Sequence, residues 1–352
     1  MDALRLAAAV AVVLFHYTAI TSAWGEPFRL ISPVLFNVSK FGYFGVDLFF
    51  VISGFVILMS AWGRPLNTFI ASRVSRLFPA YWFAVFFTGV LLLLTAPDDI
   101  SGQQLLVNLT MGQSAFGVRH VDGVFWTLWV EMHFYALIGV FLLIGITRAR
   151  LLAVCALWPV VAVIARASDA HFLASLLQPT YAPLFAGGMM IYLLSLDRRS
   201  LISWIVLAAN VLWAIPTAGN DAASSVRRLT GAGINDSVTV GVTVLCFALV
   251  IAVTLTALRR VAWRWLTIAG LLTYPLYLLH EQLGWWLISV LQSRASWPLV
   301  LVTALAASVA VSVVAYRVEK AAGPRLRMAI DRGLAALVSS DRRRGSHRSE
   351  SS

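Results

Sequence analysis

The chain has 352 residues, 60% of them hydrophobic and only 12% charged, where a water-soluble domain carries about twice that charged fraction. A net charge of +11 would suggest nucleic acid as partner of a soluble protein. In so apolar a chain Lys and Arg instead mark cytoplasmic loops, so the partner expected is membrane lipid and not nucleic acid. Cys155 and Cys246 both lie inside apolar runs and read as small core residues, giving neither a disulfide framework nor a metal site.

The first apolar segment, 4–23, carries Arg5 and His16 separated by ten apolar residues. On an ideal helix eleven steps of 100° come to about three turns, so the two side chains share a face roughly 16 Å apart. Ionisable groups in lipid are costly, and their default reading is functional. Residues 6–15 also resemble the apolar core of a signal peptide ahead of Thr21-Ser22-Ala23, but Asp2 offsets Arg5 and weighs against cleavage. The abrupt start at a helix leaves room for residues upstream.

The second segment, 42–62, holds Asp47 in FGVDLFFVISGF. In the inner loop that follows, Arg73 and Arg76 stand at i and i+3 in FIASRVSRLFPAYW and share a helix face, just before Pro79 opens the third segment, 79–96. Taken singly, each arginine reads as a topogenic anchor; together with Arg5 they also make a clamp for an anionic ligand. After a long polar loop, 97–123, the fourth segment, 124–146, carries Glu131 among Trp126, Trp129, Phe134 and Tyr135. An unpaired carboxylate there would be expensive, so Glu131 must be protonated, paired or facing an aqueous cavity. His133, two residues on, faces another way. His120 and His171 lie in outer loops and are expected to be solvated.

The fifth segment, 150–166, is the weakest, being short and interrupted by Pro159. Segments 179–196, 201–217, 237–258, 265–288 and 298–316 complete a set of ten, each near the length needed for a hydrocarbon core about 30 Å thick. The ninth contains Tyr277 and His280 in TYPLYLLHEQL. With both termini in the cytoplasm, Arg64, Arg73, Arg76, Arg148, Arg150, Arg198, Arg199, Arg259, Arg260, Arg264 and the C-terminal basic residues all fall inside, as the positive-inside rule requires. The expected architecture is therefore an all-α polytopic membrane protein of about ten transmembrane helices, residues 1–327. A basic tail, 328–352, is expected to be disordered and to touch anionic lipid.

In this topology His16, Asp47, Glu131 and His280 reach a similar level in the outer third of the membrane. Each has a bland explanation. A buried His can bond a neighbouring carbonyl, and Asp47 can neutralise a structural partner. No P-loop, GxSxG element or metal-ligand cluster occurs in the sequence.

Four stretches resemble the acyltransferase-3 family of membrane acyltransferases. They are MDALR…LFH with its Arg-x10-His pattern, FFVISGFVI leading to SRVSRLFPAYW, WTLWVEMHFY, and TYPLYLLH. The resemblance runs from residue 1 to about 325. It departs from the family at Met132-His133, where many relatives are polar or acidic, and in having no fused extracytoplasmic hydrolase-like domain, which leaves room for a separate extracytoplasmic partner.

The resemblance implies an acyl-CoA donor, most often acetyl-CoA, entering from the cytoplasm as co-substrate, with no tightly bound cofactor and no metal. It implies as acceptor a hydroxyl of a glycan, lipid-linked sugar or glycosylated metabolite near the outer face of a bacterial cytoplasmic membrane. On this reading Arg5, Arg73 and Arg76 hold the donor and His16 is the general base, oriented by Glu131 or Asp47. His280, Tyr277, Trp126 and His133 stand toward the acceptor or behind the base. Attack by His16 itself on the thioester is the competing route. A transporter or flippase of a polar or lipid-linked solute is the alternative function, since buried charges among many helices also describe proton-coupled carriers.

Overall fold

The computed structural model describes residues 1–20, 23–260 and 264–349, with the side chains of 259–260, 264–265 and 334–349 left aside. Thr21 and Ser22 of the Thr21-Ser22-Ala23 stretch, the side chains of Arg259, Arg260 and Arg264, and those of the tail beyond Gly333 lie outside the described residues. No strand occurs among the described residues.

The chain opens with α1 (Asp2–Leu14), which runs into a π-helical turn at Phe15–Ala19. Short helices α2 (Phe28–Ile31) and α3 (Pro33–Ser39) lead to α4 (Phe44–Ala61). Helix α5 (Leu66–Thr95) is continuous through Pro79. Arg73 and Arg76 therefore sit within a long helix and not in a loop ahead of one. Helix α6 (Gly102–Asn108) lies in the loop after α5, followed by α7 (Trp126–Ile144) and α8 (Arg148–Ala167). Then come α9 (His171–Leu177), α10 (Ala182–Leu196), α11 (Leu201–Ala214) and α12 (Asn220–Thr230). Helices α13 (Asp236–Leu255), α14 (Arg264–Leu291) and α15 (Trp297–Ser349) complete the chain.

Nine helical segments among the described residues are long and apolar enough to cross a membrane. The segment expected at 265–288 is helical, as α14, but is not one of the nine. His280, Glu281 and Gln282 interrupt its apolar run. This helix is packed between α1, α5 and α15, where the protein, and not lipid, surrounds its polar residues. The segment expected to be weakest is a complete helix, α8. Pro159 deprives the Cys155 carbonyl of its usual intrahelical donor, and the Asn210 side-chain amide of α11 donates to that carbonyl at 3.0 Å instead.

The most enclosed spans, those of α4 and α10, pack on each other. Gly54 and Gly188 face one another there, and a Cβ on either would strike the partner backbone, so the two helices approach as closely as small residues permit. This contact fixes α4, which also carries Asp47, Phe50 and Ser53.

Candidate functional site

A cleft with roughly 830 Å³ of space, part of it open to solvent, runs between α1, α4, α5, α7 and α14. Arg5, Arg73 and Arg76 line it together with Glu131, Tyr135 and Tyr274. The three arginines named from sequence thus share one cavity. They are lightly partnered: Arg5 reaches Asp2 at 3.4 Å, and the buried Nε of Arg73 has no hydrogen-bond partner. Buried donors left unmet in a native structure call for an explanation, and an anionic group entering the cavity supplies one. Glu131 belongs to this cavity, accepting from Ser53 Oγ at 3.1 Å.

Farther along α1 lies a second, closed cluster. His280 Nδ1 is 2.9 Å from the Tyr277 carbonyl and 3.1 Å from that of Leu276. A carbonyl only accepts, so Nδ1 carries the proton and His280 Nε2 is an acceptor. That Nε2 lies 3.1 Å from His16 Nδ1, which is also 2.9 Å from the Val12 carbonyl. His16 Nδ1 is therefore the donor, and His16 Nε2 is left with a free lone pair. It faces Glu281 Oε2 at 3.6 Å. The partners thus assign the tautomer that leaves Nε2 ready to take a proton.

The surroundings hold this arrangement. Trp285 Nε1 donates to the His16 carbonyl at 2.9 Å, within the π-helical turn; such turns recur at functional sites. Tyr17 donates to the His280 carbonyl at 2.9 Å and pairs with Ser308 Oγ at 2.7 Å. Its ring fills the place that a side chain at Gly284 would need. Glu281 lies directly under Gly123, where a Cβ would meet both carboxylate oxygens, and beside the fully buried Asp122. Burial pushes the Asp122 carboxyl up to about 7.

Tyr277 joins the two regions. It lines the cleft, its hydroxyl is 2.9 Å from Thr127 Oγ1, and its ring centroid is 5.9 Å from that of His280.

Of the residues placed in one outer layer by depth, only His16 and His280 meet. Neither Glu131 nor Asp47 forms an ion pair with His16; the carboxylate beside it is Glu281. Glu131 faces the arginine cavity. Asp47 is buried on another side of α4, in the field of Asp221 and Tyr181. Trp126 stacks near Tyr181 with centroids 5.5 Å apart. His133 Nδ1 is 2.8 Å from the Trp129 carbonyl and takes no part in the cluster. His120, expected in solvent, is held by Gln113 and Ser114 at 2.7 and 3.2 Å. Glu281 and Asp122 were not singled out from sequence, although a carboxylate adjoining a buried His in LLHEQL was a readable signal for the first.

The family described as "Acyltransferase domain", the acyltransferase-3 family, matches residues 1–317. The chain belongs to this family. It is 29% identical over 182 residues to the candidate peptidoglycan O-acetyltransferase YrhL of Bacillus subtilis (strain 168), a match covering 45% of this chain but only 26% of that protein. It is 28% identical over 313 residues to the candidate membrane-bound transacylase BcsY of Komagataeibacter xylinus, covering 80% of this chain and 71% of that one. No solved structure matches significantly.

Proposed function

We propose that this acyltransferase carries an acyl group from acyl-CoA, most simply acetyl-CoA, to a hydroxyl of a glycan or glycolipid on the outer side of a bacterial cytoplasmic membrane. The distribution of basic residues orients it with both termini in the cytoplasm and ten helices in the membrane, α14 included. The observation that supports the reading is the run from three arginines in an open cleft, through Tyr277, to a His16 whose Nε2 lone pair is free.

Arg5, Arg73 and Arg76 hold the donor's phosphates by charge-assisted hydrogen bonds, and the cleft takes its extended arm toward Tyr277. His16 Nε2 removes the proton of the acceptor hydroxyl as its oxygen attacks the thioester carbonyl. The C–S bond then breaks, and the imidazolium returns the proton to the departing sulfur. Glu281 stabilises the imidazolium while it lasts, and His280 holds the tautomer, the roles that second and third groups fill in hydrolase triads. The glycan acceptor is the class suggested by the name of YrhL.

Purified protein in detergent, supplied with acetyl-CoA and a glycan acceptor, should release free thiol, and His16→Ala should bind the donor without releasing it. Thiol release unchanged in His16→Ala removes His16 from the chemistry. Failure of the folded wild type to bind acetyl-CoA returns the transporter reading, since a carrier has no use for the donor.

A further inference from the structure

Asp47 is a buried carboxyl with no part in the transfer chemistry proposed. It is 1% exposed and its Oδ2 has no hydrogen-bond partner. An orphaned carboxyl at such depth is costly unless something meets it.

Its surroundings have the composition of a saccharide site. Tyr181 donates to Asp221 Oδ2 at 3.1 Å, and both stand within the electrostatic reach of Asp47. Tyr43, whose hydroxyl meets Ser225, adjoins the same two carboxyls. The Tyr181 ring lies against Trp126, centroids 5.5 Å apart and planes at 36°. Tyr43, Trp126, Tyr181 and Asp221 are all partly exposed, so the cluster is accessible at these four and closed at Asp47. The cation at its rim, Arg228, is exposed and donates to Ser225 at 2.8 Å.

The cluster also adjoins both parts of the transfer site. The Phe15 ring is 5.6 Å from Tyr43 and 5.4 Å from His16. Phe50 packs on Tyr181 at 5.0 Å and also lines the donor cleft.

We propose that Asp47, Asp221, Tyr43 and Tyr181, with the Trp126 face, form the acceptor subsite, and that it takes an uncharged or amino sugar ring in preference to an anionic one. This rests on the acyl-transfer reading. Carboxylates accept from ring hydroxyls in strong charge-assisted bonds, and an aromatic face covers the apolar face of a sugar ring. The partly exposed carboxylate of Asp221 repels a uronate or a phosphorylated sugar.

Calorimetric titration of the purified full-length protein with chitotetraose, the glucosamine tetramer and tetragalacturonate tests this. The first two should bind at least about tenfold more tightly than the third. Asp221→Asn and Tyr181→Phe should each weaken that binding by about tenfold, the scale for losing a hydrogen bond to a charged group. Tetragalacturonate binding as tightly as the others, no saturable binding of any of the three, or wild-type affinity in both variants overturns the proposal. Thiol release from acetyl-CoA, measured on the same preparations, keeps the two readings apart. Saccharide binding without any thiol release sinks acyl transfer and leaves a sugar site. Thiol release with unselective saccharide binding does the reverse.

Discussion

The two ends of the site are built on opposite plans. In the arginine cleft three guanidinium groups share one space with few partners, and one buried nitrogen of Arg73 has none. In the histidine cluster the imidazoles of His16 and His280 are each held by protein groups, with Tyr17 and Trp285 bonded to their backbones. An end that waits for a ligand keeps its charges unmet until the ligand neutralises them. An end that does chemistry must already be in its reacting geometry, because reorganisation at the moment of reaction adds to the barrier.

The largest effect expected from this contrast separates Glu131, which the sequence singled out, from Glu281, which it did not. Glu281→Gln removes the charge that meets the His16 cation and should lower kcat by about 10²–10⁴, the range for groups that assist proton transfer. Glu131→Gln should act mainly through the donor, changing the KM for acetyl-CoA and leaving turnover at saturating donor within about tenfold of wild type, the scale of one hydrogen bond to a charged group. Steady-state thiol release with both variants checks this. A reversed order of severity would return Glu131 to the chemistry.

Those two glutamates also show what a sequence can and cannot place. The Arg73–Arg76 pair was legible because a helix has one period and α5 runs unbroken through both. Arg5 lies in α1, but His16 falls in the π-helical turn that follows it, where that period no longer holds. A depth taken from topology and rise per residue does not fix which side of a helix faces which neighbour. Asp47 and Glu131 face other spaces than His16, while Glu281 comes to His16 through the packing of α14 on α1. The π-helical turn at Phe15 has no signature in FHYTA. All ten spans were readable as helices, and α14 fails the hydropathy test because it carries the site's own His280 and Glu281.

The arginine cleft gives the next effect. Arg73→Ala combined with Arg76→Ala removes two charge-assisted contacts and should raise the KM for acetyl-CoA by about ten- to a hundredfold, each such bond being worth about 1.5–3 kcal/mol at most. The KM for acceptor should hardly move. Added salt should mimic the double variant in part, because the mouth of the cleft is open and its charges are screened. An acceptor KM that shifts more than the donor KM assigns these arginines to the wrong substrate.

A smaller effect concerns pH. Burial beside Glu281 raises the Asp122 carboxyl to about 7, so Asp122 is neutral below that value and charged above it. If negative charge in this pair supports the His16 cation, kcat should rise with pH through about 7, and Asp122→Asn should remove or displace that limb. An unchanged profile takes Asp122 out of the reaction. The raised value also means the folded protein holds this proton more firmly than the unfolded chain. This contribution to stability is therefore present below the ordinary carboxylate range and is lost as pH rises through about 7.

The smallest effect sharpens the comparison by supplying an ion pair with better geometry and no burial. Arg148 donates to Asp197 at 2.8 Å, closer than His16 stands to Glu281, but both partners are more than 40% exposed. Arg148 and a backbone amide hold the Asp197 carboxyl below its usual range. Whatever this adds to stability is present above the ordinary carboxylate pKa and lost as pH falls through the depressed one. Water and salt screen both charges, and exposed pairs of this kind contribute little. Asp197→Asn should therefore leave thiol release unchanged and the thermal midpoint at pH 7 unresolved from wild type. A clear fall in the midpoint would mean that this inner loop is held by more than a solvated contact. The contrast with Glu281 would then lie in the partners each carboxylate serves, not in burial.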